Sequence, residues 1–278
     1  MAAALALTAC LCYGVSNFLG PLLSRENPQF VVLISGQVIA FVVSAAVVVV
    51  HEPTVPGGTE LAAGLTAGVG NAVGVFAFYR AAAVGPLSVA APIGATAAIM
   101  PVAIGVATGD SLALRQVAGI VLAMGGVMLA ARRESSPVPR GDVRLCALWA
   151  VGSAVGFGVF LSAMAPAAEG GTFWAVMVSR ASLLVVLLAT GLATGAVLSA
   201  KASHLPKLAV PGVLLFAGTV TYTAATAEGQ LSVVSVLGSL FPVVTVGLAF
   251  VILGERLSRV QSVGVVSALA GVVLLAAG

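Results

Sequence analysis

The 278 residues are 60% hydrophobic and 8% charged, with a mean hydropathy of +1.17 and a formal net charge of +3. A water-soluble domain carries about 25% charged residues, so this composition excludes one and predicts an integral membrane protein whose solvent is the bilayer. The small positive charge does not call for a nucleic-acid partner, because the basic residues cluster in short connections between apolar runs, where they orient a membrane protein.

A helix needs about 20 apolar residues to cross the hydrocarbon core, and ten such segments succeed one another. The first, Ala2 to Leu23, carries Ser16 and Asn17 just after Gly14. The second is Phe30 to Val50. The third, Leu61 to Tyr79, sets Asn71 among Gly64, Gly68, Gly70 and Gly74, a small-residue ridge that lets backbones approach closely. The fourth, Leu87 to Ala107, contains Pro92 and Pro101, and the fifth, Val117 to Ala131, is short. A basic linker, 132–144, leads to the sixth, Leu145 to Ala165. The seventh, Thr172 to Thr194, holds Arg180, the one Lys or Arg inside a span. The eighth, Leu208 to Thr226, brings Thr219, Tyr222 and Thr226 near one face by spacings of three and four. The ninth, Leu231 to Leu253, contains Pro242, and the tenth is Val260 to Ala277. Barrel strands are excluded, since they would alternate apolar and polar residues. The predicted fold is all-α, with ten transmembrane helices. Cys10, Cys12 and Cys146 lie in apolar runs and read as small hydrophobes. No disulfide, metal or other cofactor is expected.

Odd-numbered connections hold Arg25, Arg80, Arg132, Arg133, Arg140, Arg144, Lys201, Lys207, Arg256 and Arg259, and even-numbered ones only Arg115. Cytoplasmic loops carry the Lys/Arg excess, which puts the odd connections inside and both chain ends outside.

The two halves repeat. Tyr79 matches Tyr222, Gly85 matches Gly229, and Leu87, Ser88 and Val89 match Leu231, Ser232 and Val233. Gly94 pairs with Gly238. "GDSLALRQVAG" from Gly109 then matches "GERLSRVQSVG" from Gly254, pairing Asp110 with Glu255, Gln116 with Gln261 and Gly119 with Gly264. Each copy holds five spans, an odd number, so the second copy must be inserted upside down. Residues 1–131 and 145–278 are therefore read as inverted five-helix repeats. Inverted repeats are characteristic of secondary transporters, where two related gates flank one midplane site.

Several stretches resemble the drug/metabolite transporter superfamily, in particular its ten-helix EamA-type members: "YGVSNF", "FYRAAAVGPLSVAAPI", "GDSLALRQVAGIVLAMGGVML", Arg180, and "FPVVTVGLAFVILGERLSRVQSVGVVSALAGVVLL". The resemblance covers nearly the whole chain. It implies a carrier of small metabolites, often an exporter of amino acids or related solutes, with a cavity lined by the first, third, fourth, sixth, eighth and ninth helices. It also implies cytoplasmic termini, opposite to the loop count.

Polar groups are costly in hydrocarbon, so those inside spans are the candidate site. Arg180 lies eight residues into its span, about 12 Å deep at 1.5 Å per residue. It reads either as an anchor for an anionic solute or as the structural partner of Glu169 or Glu228. Ser16, Asn17, Asn71, Thr219 and Tyr222 are the other candidate solute contacts, and the rival reading makes them interhelical packing glue, with Tyr79 and Tyr222 as interfacial anchors. Pro92, Pro101 and Pro242 are candidate gating kinks. The expected partners are a small-molecule solute and the lipid bilayer, with a homodimer the one protein partner considered. The expected location is the cytoplasmic inner membrane of a prokaryote, spanned many times. No catalytic set is expected, because His51 and His204 fall in loops and an intramembrane enzyme needs a nucleophile and base, or metal ligands, at depth. A membrane scaffold or receptor is the remaining alternative. On the loop count, a reporter active only outside the cell and fused after Gly278 should be active; an inactive fusion would reverse the orientation.

Overall fold

The computed structural model describes residues 1–23, 29–52, 54–85, 87–131, 142–193, 205–254 and 257–277. Arg25, Arg132, Arg133, Arg140, Lys201, His204, Glu255 and Arg256 lie outside them. Every regular element described is helical. In the first half, α1 (Ala2–Leu23), α2 (Gln29–His51), α3 (Gly58–Val84) and α6 (Leu114–Ala130) are continuous spans. The fourth span is broken into α4 (Leu87–Gly94), a 3₁₀ turn (Ala95–Ala98) and α5 (Ile99–Thr108). In the second half α7 (Val143–Ala168), α8 (Thr172–Ala193), α9 (Leu205–Glu228) and α12 (Arg259–Ala276) are continuous, and the ninth span is broken into α10 (Leu231–Gly238) and α11 (Phe241–Leu253). Among the described residues nine spans reach 18 residues, and α6 is the short one.

The breaks fall where proline removes a backbone donor. Pro242 cannot donate to the carbonyl of Gly238, four residues back, and α10 ends there. Pro101 likewise leaves the carbonyl of Ala97 without its helical donor, and Ala97 lies in the 3₁₀ turn. Pro92 is accommodated within α4.

Packing between the halves follows a two-fold axis. α3 packs on α7 and α8, while its counterpart α9 packs on α1 and α2. α2 meets α8 and α6 meets α12, and each of these pairs is its own counterpart. With five spans per copy, the axis lies in the membrane plane and the repeats are inverted.

The repeated turn sequence has a local meaning at each matched position. Gly109 ends α5 at φ 118° and Gly254 ends α11 at φ 66°, left-handed conformations that favour glycine. Gln116 Oε1 then accepts from the Ala113 amide at 2.9 Å, and Gln261 Oε1 from the Ser258 amide at 3.0 Å, capping the helix that follows. Further along, the helices cross at glycine. A Cβ on Gly126 would collide with the Ala268 backbone, and one on Gly264 with the backbone of Ala130. Small residues are how helices gain contact in lipid, where water supplies no hydrophobic drive between them. Gly264→Leu should therefore cost about 1–3 kcal/mol by overpacking, seen as a lower thermal midpoint in detergent, whereas Gly125→Leu, at a glycine with open space around it, should change it little.

Candidate functional site

Arg180 is buried at 2% exposure between α8, α2 and α9. One terminal nitrogen donates to Gln37 Oε1 at 2.7 Å, and the other donates to the Thr219 hydroxyl and to the Leu215 carbonyl at 3.3 Å. Nε has no partner. The hydrogen-bond partners are neutral, and the expected pairing with Glu169 or Glu228 does not occur: both glutamates sit at helix ends, while the guanidinium points to mid-bundle. Gln37 was not foreseen. It stands 143 residues before Arg180, the repeat offset of Tyr79 and Tyr222, so the two-fold places the residues opposite one another across the α2–α8 contact. Two arginines there would repel, whereas glutamine accepts what arginine donates.

Thr219 joins this pair to α1. Its hydroxyl accepts from Tyr13 at 3.0 Å and donates to Leu215 at 2.8 Å. Tyr13 meets Phe241 edge-on, with centroids 6.4 Å apart. A hydrogen-bonded chain thus runs from Gln37 through Arg180 and Thr219 to Tyr13, whose ring touches the first residue of α11. Tyr222 is fully buried, donating to the Leu161 carbonyl at 2.8 Å and sharing a bond with Ser235. This corrects the interfacial expectation for Tyr222; Tyr79 is exposed. Ser16 is buried and donates to the Pro211 carbonyl at 3.2 Å. Asn17 and Asn71 stand apart from the chain. Asn17 is one turn beyond buried Tyr13 and is exposed; Asn71 is one turn beyond buried Ala67 and half-buried. Neither side chain has a hydrogen-bond partner among the described residues.

Burial along the ninth span changes with direction: α10, on the even side, is buried at every position from Ser232 to Gly238, whereas α11, on the odd side, has no buried residue. α5 packs against α10; the two-fold counterparts α4 and α11 do not pack in this way. The broken spans are thus together at the even face and parted at the odd face.

Two carboxylates of the first half reinforce the even face. Glu52, following α2, accepts from the Phe173 and Trp174 amides at 3.1 and 3.0 Å, capping α8, and its own carbonyl accepts from Trp174 Nε1 at 2.8 Å. Asp110 caps α10, accepting from the Ser232 amide at 2.9 Å and hydroxyl at 2.7 Å. Negative charge at a helix N-terminus satisfies free amides and opposes the macrodipole. Neither role was foreseen, because the partners lie about 120 residues away.

The model of the EamA-like transporter family matches residues 1–132 and again 144–277. The chain belongs to that family. No curated protein matches it. A solved structure described only as a crystal structure of a protein overlays with a TM-score of 0.78, at 17% identity, over 98% of this chain and 95% of the other, a likeness of fold. An open groove of about 380 Å³ between α3 and α7 is lined by Leu65, Val69, Val73, Val155 and Val159 with other small residues. It contains none of the candidate solute contacts, and its apolar walls suit lipid. Among the described residues no His, Cys, Asp or Glu cluster could hold a metal. Tyr13→Phe should leave Thr219 with one donor fewer at a cost of about 1 kcal/mol, measurable as a small drop in thermal midpoint; Thr219→Val, which removes the hub of three bonds, should cost more.

Proposed function

We propose that this transporter is a secondary carrier that moves small metabolites, amino acids or related solutes, across the cytoplasmic membrane of a prokaryote by alternating access, as an exporter or exchanger. The observation that carries the reading is the broken symmetry of the fourth and ninth spans, with α5 on α10 and α4 apart from α11. Two packings of the same repeat, related by the two-fold, are what a carrier needs to expose one site to each side in turn.

In this reading the solute enters from the odd-connection face and meets Asn17 and Asn71, whose amides offer both donor and acceptor. Tyr13, Thr219 and Arg180 form the floor, where the guanidinium biases the site toward anionic groups. Ser16 and Tyr222 join the site only on rearrangement, since both bond within the bundle in the present state. Arginine stays protonated, so Arg180 fixes charge and does not carry a proton. Pro101 and Pro242 serve as the bending points, with Pro92 beside them.

Counterflow into proteoliposomes loaded with pooled unlabelled metabolites tests the reading. One class of labelled solute should accumulate without an ion gradient. Arg180→Ala should reduce counterflow of anionic solutes at least about tenfold, the loss of roughly 1.4 kcal/mol of binding, with Arg180→Lys intermediate. Full transport by both variants would remove the anchor role, and no accumulation by folded protein across a broad pool would count against the carrier.

A further inference from the structure

We propose that Asp110 is the latch of the even face, the residue whose bonds to α10 hold that side of the transporter closed. Asp110 follows α5 directly, past the left-handed Gly109, and its amide bonds back to Gly105 at 2.8 Å. This turns the carboxylate toward the first turn of α10, where it takes both the amide and the hydroxyl of Ser232. Gly105 is what permits the approach: a side chain there would collide with both Asp110 and Ser232. The Ser232 hydroxyl is also within 3.2 Å of the Val102 carbonyl, and Gln230 donates to the Ser111 carbonyl at 3.0 Å while its own side-chain oxygen lies 3.4 Å from Gln116. The bonds to Gln230 and Ser232 join the end of the fourth span, the loop after it and the start of the fifth span to the start of the ninth, and so the first copy to the second.

The location separates a latch from an ordinary cap. A cap on its own helix stabilises every conformation alike. Asp110 caps a helix of the other copy, at the contact between α5 and α10 that distinguishes the closed face from the parted one. Its bonds exist only when that face is shut, so they bias the equilibrium between the two packings and leave the helices themselves intact. The proposal rests on the carrier reading for its consequence in transport, and on geometry alone for the closure.

The test reads closure without reading transport. Val236 lies one turn after Ser232 on the same face and is fully buried. In full-length protein in nanodiscs, with Cys10 and Cys12 changed to alanine and Val236→Cys introduced, reaction with a charged maleimide is followed by peptide mass. Buried Cys146, near the opposite face, is kept as an internal control for general loosening. Asp110→Asn should raise the labelling rate at position 236 about tenfold and leave Cys146 unchanged. Ser232→Ala, a milder change, should raise it less, and it decides the matter if Asp110→Asn fails to fold. Unchanged labelling at position 236 in the folded variants, or a parallel rise at Cys146, overturns the latch. Counterflow by the same proteins separates the two readings: faster labelling with no counterflow even in the parent sinks the carrier and spares the latch, while counterflow in the parent with unchanged labelling sinks the latch alone.

Discussion

Five spans per copy oblige the two halves of this chain to sit upside down relative to each other, and the two-fold axis this creates in the membrane plane governs the rest of the structure. Helices on the axis meet their own counterparts, as α6 meets α12 and α2 meets α8. Helices off it meet in related pairs. In lipid such contacts depend on close approach and on satisfied polar groups, since apolar surface gains nothing by leaving one apolar medium for another. The glycines of α6 and α12 serve the first need, and the hydrogen bonds among Gln37, Arg180, Thr219 and Tyr13 serve the second.

The axis also explains why one pair of contacts can be broken without loss of the fold. The α3–α7, α1–α9 and α6–α12 contacts hold the halves together on both sides of the axis. The short pieces α4, α5, α10 and α11 carry less of the packing, and proline has already interrupted their hydrogen bonding at the points where they bend. In the proposed carrier, which of the two related contacts forms is set by a few local bonds. At the even face those bonds come from Asp110, Gln230 and Gln116, with Glu52 fixing the neighbouring start of α8. Among the described residues Arg180 is the cation buried in mid-bundle, carried by α8 and bonded to α2 and α9.

Much of this was legible in the sequence, for identifiable reasons. Span positions followed from apolar length, and the duplication from Tyr, Gln and Gly at constant offsets. The third span runs on to Val84 because Arg80 does not end it; its guanidinium lies 5.7 Å from the centroid of the Trp149 ring. The helix breaks were implied by Pro101 and Pro242. Partners across the bundle were harder to foresee. Charge alone leaves Arg180 as either an anion anchor or a partner of Glu169 or Glu228, whereas the repeat offset of Tyr79 and Tyr222 leads from Arg180 to Gln37. The capping roles of Asp110 and Glu52 have no local sequence signature, because each cap forms between copies. The candidate site was legible as a set of polar residues; its division between a closed and a parted face was not, because burial along a helix depends on which related contact has formed.

The central claim is that the two faces are alternatives. Double electron–electron resonance would test it most directly, with one spin-label pair spanning the ends of α5 and α10 and another spanning the start of α4 and the end of α11. The account predicts opposed changes: conditions that lengthen the α5–α10 distance shorten the α4–α11 distance, each between two resolved values. Distances that lengthen together, or that each show one value under every condition including solute excess, would contradict it.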